Sequence, residues 1–104
     1  MTLNVNELAQ TRTELLANLE LTGLATSAVA ADLHFTSDRL DSTLHCRDDC
    51  DPVDVWQLRD YLERTVRDTG QTPVPFTVLS ARSRMLARMW FRLRKAPRHA
   101  YPQV

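Results

Sequence analysis

The chain has 104 residues, 43% hydrophobic and 25% charged, enough for one hydrophobic core and too few for two. Two glycines and little period-two alternation exclude a hairpin-built β protein, so an all-α class is expected. The net charge of zero hides an asymmetry: residues 1–70 carry all 13 acidic side chains against six basic ones, a sum of −7. Residues 71–104 carry seven basic side chains and no acid, a sum of +7. Such a split points to nucleic-acid contact by the basic part or to pairing between the halves.

The opening "MTLNVNELAQTRTELL" has an early glutamate and no apolar centre, so no secretory leader is expected. The charge-free runs are too short for a bilayer span, and a cytoplasmic location without membrane contact is expected. Residues 4–21 read as the first helix. Leu8, Leu15, Leu16 and Leu19 recur near helical spacing, and Asn4 with Glu7 fits a capping box. Gly23 suits the left-handed position that ends such a helix. A short second helix is expected over 26–33 and a third over 36–45, with His34 and Phe35 between them and Thr36 as N-cap. "CRDDCD" reads as a polar loop. Asp51 then caps a helix over 52–69 that starts with Pro52, where a missing N–H costs nothing. Its expected buried stripe is Val55, Leu58, Leu62 and Val66, widened by Trp56 and Tyr61, and Gly70 closes it.

Pro73 and Pro75 exclude helix from "QTPVPFTVLS" by forcing the residues before them toward extended geometry. Its Val74, Phe76, Val78 and Leu79 are too apolar for a free linker. Ser80 is expected to cap a last helix over 81–96. Met85, Leu86, Met89, Trp90 and Leu93 share one face of it, read together with Phe91 as core or dimer interface. Arg84, Arg88, Arg92 and Lys95 share another. The chain thus divides into residues 1–70 and a following part, 71–104, that packs on the same domain.

The second and third helices have the outline of a helix-turn-helix. Ala30 is small enough for a close crossing, His34 takes the place where glycine is usual, and Val29, Leu33, Phe35 and Leu40 supply buried positions. Thr43 falls on the next buried position and fits it poorly. The stretch "GLATSAVAADLHFTSDRL" resembles the first half of the phage-repressor-like domains. "DPVDVWQLRDYLERTVRDTGQTPVPFTVL", with the preceding helical pair and the later "WF", is similar to a family of short bacterial proteins grouped as domain-of-unknown-function family 2316. That resemblance covers residues 1–80 and implies a repressor-like bundle of about five helices, with no activity to carry over.

In a working motif Ser37, Asp38, Asp41 and Ser42 would face base edges and Arg39 a phosphate or guanine. Arg84, Arg88 and Arg92 of the last helix are candidate phosphate contacts. Residues 22–51 offer only Arg39 and Arg47 against six aspartates, a poor charge balance for a polyanion. The expected role is a DNA-binding transcriptional regulator that meets double-stranded DNA as a homodimer. The alternative is a protein-interaction or dimerisation module on the same fold. "HCRDDCD" lacks the paired ligand clusters of a zinc site, and its two thiols are expected to stay reduced. Nothing resembles a nucleophile elbow or a phosphate loop. Catalytic residues, a metal, a cofactor and a small-molecule substrate are therefore not expected.

Overall fold

Asn4 and Glu7 cap the first helix reciprocally: Asn4 Oδ1 accepts from the Glu7 N–H at 2.8 Å, and Glu7 Oε1 accepts from the Asn4 N–H at 3.1 Å. A computed structural model of the chain describes residues 4–47, 50–90, 92–97 and 99–100. Its helices are α1 (Val5–Thr22), α2 (Thr26–Leu33), α3 (Ser37–Leu44), α4 (Pro52–Asp68) and α5 (Ala81–Trp90), and the described residues contain no strand. Gly23 ends α1 at φ 69°, and Gly70 follows α4 at φ 84°. Asp51 caps α4 by accepting from the Val53 N–H, with Pro52 in the first turn as the sequence requires.

α4 is the central helix. It packs against α1 and α3, and α2 packs against α3. Trp56, Leu58, Tyr61 and Leu62 are all but inaccessible and join Leu15, Val29 and Leu40 in one core. Phe76, Leu79 and Ala87 belong to the same cluster, so the Pro-containing segment and α5 close the core from one side.

α1 differs from the leucine stripe expected of it. Leu15 is buried, Leu8 and Leu19 are partly buried, and Leu16 is 37% exposed. A line of polar side chains, Thr11, Glu14, Asn18 and Thr22, is buried instead. The partner of that line explains it. The segment 71–80 is neither helix nor strand, so its backbone groups have no ladder to complete. Asn18 grips Val74 twice, donating to its carbonyl at 3.0 Å and accepting from its N–H at 2.9 Å. Glu14 accepts from the Thr77 N–H and hydroxyl at 3.0 and 2.8 Å. Arg59 of α4 donates to the Leu79 carbonyl at 3.0 Å from the other side and lies 4.8 Å over the Phe76 ring.

α5 is shorter than expected, stopping at Trp90 instead of running to residue 96. Gln57 Nε2 donates to the Lys95 carbonyl at 3.2 Å, and Pro97 biases Ala96 toward extended geometry. Leaving the helix lets Leu93 and Ala96 pack against the core. The shared apolar face of α5 is also corrected as a core face. Met85 and Met89 are 72% and 78% exposed, Leu86 is exposed, and Ala87 is the buried one among the described side chains of this helix. The Arg84 guanidinium lies 4.9 Å over the Trp56 ring, so this arginine covers apolar surface of α4. Phe91, Arg98, Asp48, Asp49 and the side chain of Trp90 lie outside the described residues.

Replacing Asn18 by alanine strips both backbone groups of Val74 of their partner. The expected loss is about 2 kcal/mol in urea denaturation, whereas the exposed Leu16→Ala should cost less than about 1 kcal/mol. Equal effects would show that the polar clamp does not hold the extended segment.

Candidate nucleic-acid interface

The α2–α3 hairpin is built from its turn outward. His34 takes the left-handed conformation at φ 60° and ψ 38°. The Phe35 N–H donates to the Ala30 carbonyl at 2.9 Å and the His34 N–H to the Ala31 carbonyl at 3.3 Å, the paired bonds that close a helix through a left-handed residue. Phe35 then turns into the core, and Thr36 begins α3 by accepting from the Arg39 N–H at 3.1 Å. Val29, Ala30, Leu33, Phe35 and Leu40 are all buried. So is Thr43, whose hydroxyl donates to the Arg39 carbonyl at 2.7 Å. A threonine satisfied within its own helix serves as a core residue, which removes the apparent misfit at that position.

α3 presents Ser37, Asp38 and Asp41 to solvent and half-buries Ser42. Its one arginine is committed inward. Arg39 Nε and Nη2 donate to the two Asp54 carboxylate oxygens at 2.8 and 2.7 Å, and the guanidinium lies 4.1 Å over the Phe35 ring. The hydrogen bond to Asp54 raises the Arg39 pKa further above its ordinary value, against a smaller opposing effect of burial. Asp41 pairs with Arg47 at 2.8 Å and lies 3.3 Å from His45. Beside α3 a hollow of about 340 Å³ gathers Asp38, Asp51 and Asp54 around Arg39. The outer face of α3 is therefore acidic and polar.

Arg84, Arg88, Arg92, Arg94 and Lys95 lie beside α4. Arg84 Nη1 donates to Asp60 at 2.9 Å and its Nη2 also contacts that carboxylate. Arg94 binds Asp54, the carboxylate that Arg39 grips. Further on, His99 Nδ1 and the Tyr61 hydroxyl each stand 2.5 Å from Asp32 Oδ2, which ties His99 to α2 and α4. Between α4 and residues 84–96 runs an open groove of about 1340 Å³, lined by eight Lys or Arg and three Asp or Glu side chains. Arg88 and Arg92 are exposed in it, together with Arg64 and Lys95. Arg64 was missed among the candidate residues because its membership depends on α5 docking beside α4, which spacing within either helix does not encode.

The structure thus brings Ser37, Asp38, Asp41 and Ser42 together on one helix, and Arg84, Arg88 and Arg92 together in one groove. Arg39 and Arg84 are bound to carboxylates of α4. Among the described residues no three His, Cys, Asp or Glu side chains converge as metal ligands, and no helix is long and apolar enough to cross a membrane.

A family model described as an uncharacterized protein conserved in bacteria (DUF2316) matches residues 1–92. The chain belongs to this family. The five helices of the described residues of this DUF2316 member lie inside the matched stretch, as do Arg64, Arg88 and Arg92, while Lys95 lies beyond it. No curated protein and no solved structure matches it.

Cys46 is a free thiol, buried at φ 50°, and Cys50 is half-buried. Burial, with Cys50 nearby, pushes the Cys46 thiol up to about 11 from 9.0. Between those values the unfolded chain loses the proton first, so the stability from the neutral thiol is complete below pH 9 and lost as pH rises toward 11. Denaturation midpoints of the wild type should therefore fall over that window more steeply than those of Cys46→Ala. Iodoacetamide should label Cys50 before Cys46. Parallel pH curves, or Cys46 labelled first, would contradict the burial of this thiol.

Proposed function

We propose that this chain is a helix-turn-helix DNA-binding transcriptional regulator on a phage-repressor-like fold, acting in the cytoplasm as a homodimer. The observation that carries this proposal is the turn at His34. A left-handed residue closed by the Phe35–Ala30 bond, a small Ala30 in the core and a Thr36 cap support reading α2 and α3 as a DNA-reading pair. α3 would enter the major groove with Ser37, Asp38, Asp41 and Ser42 toward base edges. An aspartate there accepts from cytosine N4, and a serine hydroxyl serves any base. Arg39 would act from beneath, because its bidentate bond to Asp54 holds α3 against α4. Two copies would present two α3 helices to half-sites about 34 Å apart. The exposed Met85, Leu86 and Met89 of α5 offer the apolar surface for a second copy. Binding rather than catalysis is the proposed role, without cofactor or small-molecule substrate.

A second role, a protein-interaction module that keeps the fold without reading DNA, is favoured by one observation: the only arginine of α3 is spent on Asp54, leaving an acidic outer face.

Selection from a random duplex pool separates the two. The regulator should enrich one paired half-site. Asp38→Ala with Asp41→Ala should then relax the preference at a cytosine by about 1–3 kcal/mol. A pool that stays random after selection would exclude the regulator and leave the interaction module. For assembly, light scattering should report a dimer that Met85→Glu with Met89→Glu converts to a monomer. A wild-type monomer, or a dimer indifferent to both changes, would exclude the α5 interface.

A further inference from the structure

The cations of the α4–α5 groove divide into two sets. Asp60 is held by Arg59 and Arg84, and Glu63 by Arg59 with Arg67 at 4.0 Å. Arg64, Arg88, Arg92 and Lys95 are exposed in the same groove and, among the described residues, have no ion-pair partner. Arg64 comes from α4, Arg88 from α5, and Arg92 and Lys95 from the chain after α5, so the set exists only because these elements lie side by side. The groove keeps an excess of five positive charges in a chain whose net charge is zero. One end of it also abuts α3, because Arg94 lines the groove and shares Asp54 with Arg39.

We propose that this groove is a phosphate-backbone site for double-stranded DNA, distinct from α3, with Arg64, Arg88, Arg92 and Lys95 as its contacts. The proposal rests on the DNA-binding role argued above and assigns affinity to a surface other than the motif. Guanidinium groups suit phosphate oxygens because their planar fork donates two bonds at once. The exposed side chains are long enough to follow a backbone, and none has to abandon a carboxylate to do so. The division of labour follows from the charges. α3 can supply base contacts and little attraction, while the groove supplies attraction and no access to base edges of its own. A duplex whose major groove receives α3 would meet the groove on its flanking phosphates, at the Arg94 end.

The test measures fluorescence anisotropy of a 20-bp duplex of arbitrary sequence across salt concentrations. Four phosphate contacts predict a slope of log K against log salt of about −3.6, and the triple variant Arg64→Gln, Arg88→Gln, Arg92→Gln should flatten it to about −0.9. The matching lysine triple variant should restore the wild-type slope, which separates lost charge from lost fold. Asp38→Ala with Asp41→Ala should leave the slope unchanged. Wild-type binding that survives the glutamine variant at full strength would overturn the groove while leaving DNA binding intact. A groove-dependent slope from a protein that enriches no sequence in the random pool would support the groove and overturn the α3 motif. No binding to any duplex at 50 mM salt, or displacement of the duplex by polyglutamate as readily as by unlabelled DNA, would overturn the groove as a DNA site.

Discussion

A carboxylate buried to 5% side-chain exposure must find cations, and Asp54 finds two, Arg39 from α3 and Arg94 from the chain after α5. Removing both partners would leave the carboxylate uncompensated in a poorly hydrated place, whereas removing one leaves it the other. This one contact sets the roll of α3 on α4 and pulls the basic end of the chain back along α4 toward the hairpin. It also commits two half-exposed arginines to one carboxylate. The same requirement governs the far side of the domain, where Asn18, Glu14 and Arg59 satisfy backbone groups of a segment that forms no ladder.

The opposed charges of the two halves are therefore partly spent on each other. Arg84–Asp60 and Arg94–Asp54 join them within one chain. What remains is separated in space: carboxylates and hydroxyls on the outer face of α3, uncommitted guanidinium groups in the groove beside α4. A protein arranged this way would take its affinity from one surface and its discrimination from another. That arrangement would reconcile an acidic third helix with the proposed polyanionic partner.

The parts legible in sequence are those set by local rules. The Asn4–Glu7 box, Gly23, Thr36, Asp51 with Pro52 and Gly70 each act within a few residues, and the helix ends they mark are found within one or two positions. His34 belongs with them, since its positive φ answers a local need of the turn. The stripe of α4 was legible because a central helix buries its apolar face whatever it meets. The polar line of α1 was not, because its partner lies 56 to 63 residues away. The fate of Arg39 was hidden for the same reason, its carboxylate being 15 residues further on. The short α5 and its exposed methionines reflect a choice between continuing a helix and packing Leu93 and Ala96, and periodicity within the helix carries no trace of that competition.

The central proposal is that a single duplex meets two separate surfaces, α3 and the α4–α5 groove, while Arg39 stays with Asp54. Nuclear magnetic resonance of the 15N-labelled protein titrated with the selected duplex tests it most directly, reading backbone amides and arginine Nε–H together. The account predicts shifts at Ser37–Ser42 and at the Nε–H of Arg64, Arg88 and Arg92, with the Arg39 Nε–H unmoved. Shifts confined to other surfaces, or an Arg39 signal that moves while those of the groove do not, would contradict it.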